Sequence, residues 1–318
     1  VEELAFELLK ATEKAAIACI PWVGKGDRKA ADKAATEAMR KSFNEIEFAG
    51  TIVIGEGERD KAPMLFIGEK VGTGKGMEVD IAVDPLECTN HVAVAKENSI
   101  AVLAAAPKGS LLHAPDTYMY KLAVGPRAKG AIDLRKGTRE NMEAIAKKLG
   151  KELKEITAVV MDRDRHKKLI EELRNIGVGV KLIGDGDVYG AISTAFPEID
   201  ADVLIGIGAA PEGVIAAAAL KSLGGDMQGI LKPRNADDTA DEEDVIKRMK
   251  EMGIEDLNKV YTIDELAKGD KGFFIATAIG GNALMPGIKI KGDTAETHSV
   301  IFDMENKSRN FIKREVKL

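Results

Sequence analysis

The chain has 318 residues, 45% of them hydrophobic, enough for one large core or two ordinary domains. Its 52 acidic side chains against 46 lysines and arginines leave a formal charge of −6, which argues against nonspecific nucleic-acid binding, and 4% aromatic content gives no platform for stacked bases. Cys19 and Cys88 have no CxxC spacing, no apolar run approaches bilayer length, and Val1-Glu2-Glu3 is acidic rather than signal-like, so the expectation is a cytoplasmic protein with neither membrane nor nucleic acid as partner.

Leu4, Leu8, Ala11, Ala15 and Ala18 recur at helical spacing and predict a helix over 2–20. The stretch 21–27 interrupts it, and a second helix is expected over about 28–45 with Asp32 in its early turns. The β-branched run at 50–54 predicts a strand that discharges into Gly55-Glu56-Gly57-Glu58-Arg59-Asp60. Acid-rich loops after buried strands are where α/β sheets build sites. Gly68, Gly72, Gly74 and Gly76 make the next loop glycine-dense, but Lys75 is followed by glycine rather than Ser or Thr, so it is no P-loop. It reads as a hairpin-type turn between Phe66-Ile67 and a buried strand at 79–83.

That strand leads into Asp84-Pro85-Leu86-Glu87-Cys88-Thr89, the densest chemistry in the chain. Pro85 lacks a donor and is expected to stop the strand ladder. Glu87 and Thr89 then fall at a loop or an early helix turn, where unpaired N–H groups attract anions. Carboxylates beside an anion site repel the anion unless a cation lies between, which suggests Mg²⁺ or Mn²⁺ bridging to a phosphate. The plainer alternative is a capped helix start with acids at the positive end of the dipole.

Further along, strands are expected at 99–106, at 111–112 and at 121–124, flanking Tyr118-Met119-Tyr120, with a helix at 141–149. Three strand–loop–helix units follow. Their strands, at 156–161, 180–183 and 203–207, end in Asp162-Arg163-Asp164-Arg165-His166, Gly184-Asp185-Gly186-Asp187 and Gly208-Ala209-Ala210-Pro211-Glu212-Gly213. This alternation argues an α/β second half with its ligand loops on one edge. The charged stretch 233–258 reads as a solvated helical excursion. Late strands are expected at 273–278 and 299–302, with an edge strand at 311–318.

Several familiar signatures fail. Pro211 and Tyr189 stand where the two candidate dinucleotide fingerprints need glycine, and Phe196 stands where an EF-hand loop needs its closing glutamate. No nucleophile elbow is present, and His91, His113, His166 and His298 are expected to be structural or accidental. What remains is a set of hard oxygen ligands at element ends, Asp32, Glu56, Asp84, Glu87 and Glu212, and an arginine pair, Arg163 and Arg165, that could clamp phosphate or simply pair with Asp162 and Asp164.

In this order, Gly55-Glu56-Gly57-Glu58, Ala62-Pro63-Met64-Leu65, Asp84-Pro85-Leu86-Glu87, Asp185-Gly186-Asp187 and Pro211-Glu212-Gly213 resemble the class II fructose-1,6-bisphosphatases, within the lithium-sensitive, metal-dependent sugar and inositol phosphatases. The resemblance runs from Trp22-Val23-Gly24 to about Ser308. It implies an α/β (α+β) fold, a layered α-β-α-β-α sandwich, and hydrolysis of the 1-phosphate of fructose 1,6-bisphosphate to fructose 6-phosphate, a gluconeogenic step. It implies Mg²⁺ or Mn²⁺ held by Asp32, Glu56, Asp84, Glu87 and Glu212. Asp60 and Thr89, with Glu56, match positions linked to water activation. Glu87, Cys88, Thr89, Tyr118, Arg163, Asp164, Arg165, Asp185, Gly186, Asp187 and Ala209 match substrate-contacting positions.

The expected organisation is an N-terminal α+β domain over 1–150 with most metal ligands and a C-terminal α/β domain over 151–318 with the substrate loops, assembled as a dimeric or tetrameric homo-oligomer around a small sugar bisphosphate. Cys88 and Ala209 depart from the family pattern, which has glycine at both places. Two alternatives therefore stand beside the main reading: an inositol- or nucleotide-phosphate phosphatase on the same scaffold, and a sugar-phosphate binder with impaired turnover.

Overall fold

The computed structural model describes residues 2–57, 63–233 and 242–318. The chain divides into two compact units, Val1–Leu111 with Asp270–Leu318, and Leu112–Gly269 inserted between them. Gly150, where a domain boundary is expected, lies inside the second unit and ends a helix there in the left-handed conformation.

The first unit opens with α1 (Glu2–Cys19) and α2 (Arg28–Phe43), followed by β1 (Ala49–Ile54), β2 (Lys70–Val71), β3 (Glu78–Glu87), a short α3 (Thr89–Ala93) and β4 (Ile100–Pro107). The helical spacing read in 2–20 has its consequence here: Leu8, Leu9, Ala11, Ala15, Ala16 and Cys19 are buried. Asp27 caps α2, its carboxylate accepting from the Ala30 N–H at 3.0 Å. The chain then leaves for the second unit.

There it forms β5 (Tyr118–Val124), α4 (Thr138–Leu149), β6 (Thr157–Met161), α5 (Lys167–Ile176), β7 (Gly179–Ile183), α6 (Asp187–Ser193), β8 (Val203–Ala209), α7 (Ala210–Leu223), β9 (Asp226–Lys232), α8 (Glu242–Glu251), β10 (Tyr261–Thr262) and α9 (Ile263–Leu266). The six-stranded sheet runs β10-β9-β5-β8-β6-β7. β6 pairs in parallel with both β7 and β8, as the three strand–loop–helix units require, whereas β5 and β9 are antiparallel additions. β5 is one continuous strand through Tyr118-Met119-Tyr120, and Leu111-Leu112 forms no strand of its own, contrary to expectation. The charged excursion is α8 where it is described; Asp237, Asp238 and Asp241 lie outside the described residues.

Back in the first unit, β11 (Phe273–Ala278), β12 (Lys289–Lys291), β13 (Thr294–Asp303) and β14 (Arg309–Lys317) complete an eight-stranded mixed sheet in the order β12-β13-β11-β4-β3-β1-β2, with β14 also on β13. α1 and α2 pack together, and α1 lies on β3, β4, β11 and β13. Among the described residues no helix is long and apolar enough to cross a membrane.

Two irregularities in this sheet set up the acidic loops. β3 does not stop at Pro85, as expected, but continues to Glu87. Asp84 pairs with Val102 and Glu87 with Ile100, so three steps on β3 match two on β4. Pro85 sits in this bulge, where a missing donor breaks no regular ladder bond. The extra residue shifts the alternation, so Asp84 and Glu87 fall on one face of the strand instead of opposite ones. β1 carries a similar slip between Ile52 and Ile54, just before Gly55-Glu56. The glycine-rich loop is not a hairpin between Phe66-Ile67 and β3: β2 pairs antiparallel with β1, and the turn crosses from β2 to β3.

Gly55 is required by space. A Cβ there would stand 1.9 Å from the Leu65 carbonyl oxygen, which also accepts the Glu56 N–H at 3.0 Å. Gly55→Ala should therefore cost about 2–4 kcal/mol in urea unfolding, since backbone rather than a mobile side chain must move. Unchanged stability would show that this turn is free to give way.

Candidate active-site residues

In the first unit Asp32, on the second turn of α2, and Glu56, just after β1, are both half-buried and hydrogen-bonded to each other through their side chains. A bond between two carboxyl groups needs a proton on one of them. Burial raises Asp32 above the ordinary carboxylate range, and the bond to Glu56 offsets this only in part. Asp84, at the β3 bulge, accepts the Leu86 N–H at 3.1 Å. The buried Cys19 thiol is pushed up to about 12, by burial first and then by the charges of Asp32 and Asp84. Asp32, Glu56 and Asp84 thus share one neighbourhood, with Glu87 buried at the end of the same strand as Asp84.

Cys88 links Glu87 to Thr89 in the left-handed conformation, at φ 70 and ψ 49, and is buried. That geometry costs a residue bearing a Cβ about 1–2 kcal/mol, which explains why glycine suits the position. Thr89 follows as the first residue of α3. Asp60 lies outside the described residues.

The second unit holds the remaining candidates. Arg163 donates through Nη1 to the Gly184 carbonyl at 2.5 Å and to the Asp162 carbonyl at 3.1 Å, with Nη2 3.8 Å from Asp185. Arg165 donates from Nε and Nη2 to the Ile207 carbonyl at 3.0 and 2.9 Å, and its guanidinium lies 4.7 Å from the Tyr118 ring centroid. Tyr118 stands opposite Ala209 in the sheet register. The local ion pairs weighed as the alternative for these arginines are not what holds them: they reach across three strand ends. Asp164 does not join them: it is 93% exposed and pairs with Lys167 at 2.8 Å. Ala209 has φ −66, which any residue adopts, so alanine in place of glycine carries no backbone strain, unlike Cys88.

Asp187 opens α6 after Gly186, which is left-handed, and is buried against Lys121 of β5, itself 1% exposed. Gly208 makes this pair possible, since a Cβ there would fall 2.0 Å from Asp187 Oδ2 and 3.0 Å from Lys121 Nζ. Glu212, on the first turn of α7, has its Oε2 shut off from solvent without a hydrogen-bond donor among the described residues. Burial pushes it up to about 7; Lys121 pulls it down, and Asp187 and Asp116 add to the rise. Lys121 was not among the expected site residues. Its signal in the sequence is one cation within the otherwise uncharged strand 118–124.

The donor chemistry fits a hard divalent cation. Two carboxyls in contact and a buried carboxylate oxygen lacking a donor are positions where positive charge is missing. Among the described residues, however, no three His, Cys, Asp or Glu side chains are already gathered to hold an ion. The Asp32–Glu56 contact is the preassembled part.

Acids and arginines at the strand ends of an α/β fold are compatible with a phosphatase, and sequence comparison gives both that class and the family within it. The profile described as "Bacterial fructose-1,6-bisphosphatase, glpX-encoded" matches residues 2–316, and the chain belongs to that family. It is 46% identical to the D-fructose 1,6-bisphosphatase class 2/sedoheptulose 1,7-bisphosphatase of Trichodesmium erythraeum, over 97% of this chain and 94% of that one. It is 47% identical to the fructose-1,6-bisphosphatase 1 class 2 of Escherichia coli, over 96% and 92% respectively. A bifunctional relative of the same description from Prochlorococcus marinus is also 47% identical, over 98% and 95%.

Breaking the interior ion pair should be costly. Lys121→Met strands a buried carboxylate and is expected to lower stability by about 3–5 kcal/mol, and adding Asp187→Leu should recover most of that. Urea titrations of both variants check this; strictly additive losses would show that the two groups do not act as a pair.

Proposed function

We propose that the chain hydrolyses the 1-phosphate of fructose 1,6-bisphosphate to fructose 6-phosphate and phosphate, with Mg²⁺ or Mn²⁺ as the working ion. The observation that carries the reading is the carboxyl contact between Asp32 and Glu56 in a chain of this family. Asp32, Glu56, Asp84, Glu87 and Glu212 would hold the ion. Bound there, such an ion neutralises phosphoryl oxygens and acidifies water.

The chain's own groups do the rest. Thr89 and Asp60, with Glu56, orient the attacking water and accept its proton. The water oxygen forms a new bond to phosphorus in line with the bond to the C1 oxygen, which breaks. Glu87, Cys88 and Thr89 border the reacting phosphate. Arg165, with two of its donors fixed on Ile207 and its face on Tyr118, presents its remaining edge to the distal phosphate beside Arg163. Asp185, Gly186, Asp187 and Ala209 line the sugar, and Lys121 holds the Asp187 carboxylate in place. The names of the cyanobacterial relatives favour a second substrate, sedoheptulose 1,7-bisphosphate, on the same residues.

Glu56→Gln should abolish phosphate release while leaving thermal unfolding cooperative, because it removes a ligand and a base but little volume. In a substrate panel, release from fructose 1,6-bisphosphate should exceed that from inositol 1-phosphate by at least about 100-fold. Normal turnover in the variant, or the reverse preference, would refute the assignment.

The ion's effect should depend on pH. Glu212 sits above its ordinary 4.5, so its proton stabilises the ion-free protein at low pH, and that contribution is lost as pH rises through about 7. An ion replacing the proton should then raise Tm more at about pH 8 than at about pH 6. Thermal unfolding with and without Mn²⁺ at the two values measures this. An equal or opposite gain would remove Glu212 from the ligand set.

A further inference from the structure

His166 is 1% exposed and lies at the end of the turn that carries Arg163 and Arg165. Its ring bridges two strands. Nδ1 is 2.7 Å from the Met161 carbonyl at the end of β6, and Nε2 is 2.8 Å from the Ile207 N–H in β8. A carbonyl can only accept and an N–H can only donate, so the ring carries its proton on Nδ1 and is neutral. Ile207, whose N–H donates to His166, is also the residue whose carbonyl receives both Arg165 bonds. The histidine holds the peptide entering Ile207 and the arginine is held by the peptide leaving it, so the two groups meet on one residue's backbone.

We propose that His166 is a positioning residue: through the backbone of Ile207 it fixes Arg165 on the Tyr118 ring in the orientation that receives the distal phosphate, and protonation of the ring at Nε2 releases that hold. The inference rests on the assignment of Arg165 to the substrate. A proton on Nε2 would face the Ile207 N–H, donor against donor, and the backbone at Ile207 would have to rotate or withdraw, taking the neighbouring carbonyl out of line with Arg165. Arg165 would then lose its fixed acceptor, and substrate would bind a mobile side chain at higher entropic cost.

The surroundings favour the neutral ring. Burial pushes His166 below its usual 6.5, with Arg165 and Arg163 adding to the fall and the Met161 carbonyl and Asp187 opposing it. The bridged strands β6 and β8 carry no titratable side chain. The hold is complete above 6.5 and is lost as pH falls through the lower folded value.

Two substitutions separate the ring's two bonds. Asn at this position keeps a donor for Met161 but has no acceptor that reaches Ile207. Gln carries its carbonyl oxygen near the place of Nε2 and has no proton to gain. With the full chain, Mn²⁺ and fructose 1,6-bisphosphate, His166→Asn should raise KM about tenfold with kcat within about twofold, and His166→Gln should restore most of the loss. The ratio of wild-type to His166→Gln KM should rise as pH drops below about 6.5; taking the ratio cancels protonation of the substrate's own phosphates. If His166→Asn does not fold, the His166→Gln profile decides alone. A KM ratio flat with pH, or a loss confined to kcat, overturns the proposal. Arg165→Gln separates its failure from that of the functional reading. A raised KM there with no effect of His166→Asn sinks only the positioning role, whereas no effect of Arg165→Gln sinks the substrate assignment itself.

Discussion

Asp32 and Glu56 are held close enough for their carboxyl groups to share a proton, and most of the first unit's local geometry serves that arrangement. Two ionised carboxylates at about 4 Å repel by roughly 4 kcal/mol at the effective dielectric of a protein surface. The contact persists because its two ends are fixed by unrelated elements. α2 is capped by Asp27 and packs on β3 and α3, while Glu56 is anchored by the Leu65 carbonyl through a turn that admits only glycine at position 55. Positive charge, as a proton or a hard cation, is what the arrangement lacks. The bulge at Pro85 and the left-handed Cys88 extend the same logic along β3, bringing Asp84 and Glu87 to one face and turning the chain sharply into Thr89.

The second unit meets the problem of buried charge differently. Its interior acid, Asp187, has a permanent counter-ion in Lys121, and Gly208 leaves the room that this pair needs. Glu212, with an enclosed oxygen that receives no hydrogen bond among the described residues, is left to be neutralised from outside. A resident lysine cannot leave when substrate arrives, whereas a proton can be exchanged for a cation. The division between a fixed cation under Asp187 and an exchangeable one at the proposed ligands follows from where the only lysine of β5 lies.

Much of the architecture was legible in the residues. Helical periodicity located α1 and a β-branched run located β1, and α2, β6 and β11 lie close to their expected bounds. The misreadings have common causes. Pro85 carries a strong local signal to end a strand, but a bulge makes its missing N–H harmless, and β3 runs on to Glu87. β9 gives no expected strand although Met227, Gly229 and Leu231 alternate inward, because Gly225 and Gly229 weaken its propensity; it is stabilised by pairing with β5 on one side and β10 on the other. For the arginine loop the adjacent Asp162 and Asp164 leave local ion pairs open beside a phosphate clamp, yet the acceptors that hold the guanidinium groups are carbonyls of Gly184 and Ile207, far along the chain.

The sequence by itself determined the family, the α/β class and the identity of the acids at the strand ends, because ordered short motifs and hydrophobic periods are local properties of a chain. Only the tertiary structure decided which of those acids touch, that Lys121 lies beneath Asp187, that Cys88 is forced into a left-handed turn and that His166 and Arg165 both bind the backbone of Ile207. Burial, register and donor–acceptor pairing depend on residues distant in the chain, and those contacts exist only once the sheets have formed.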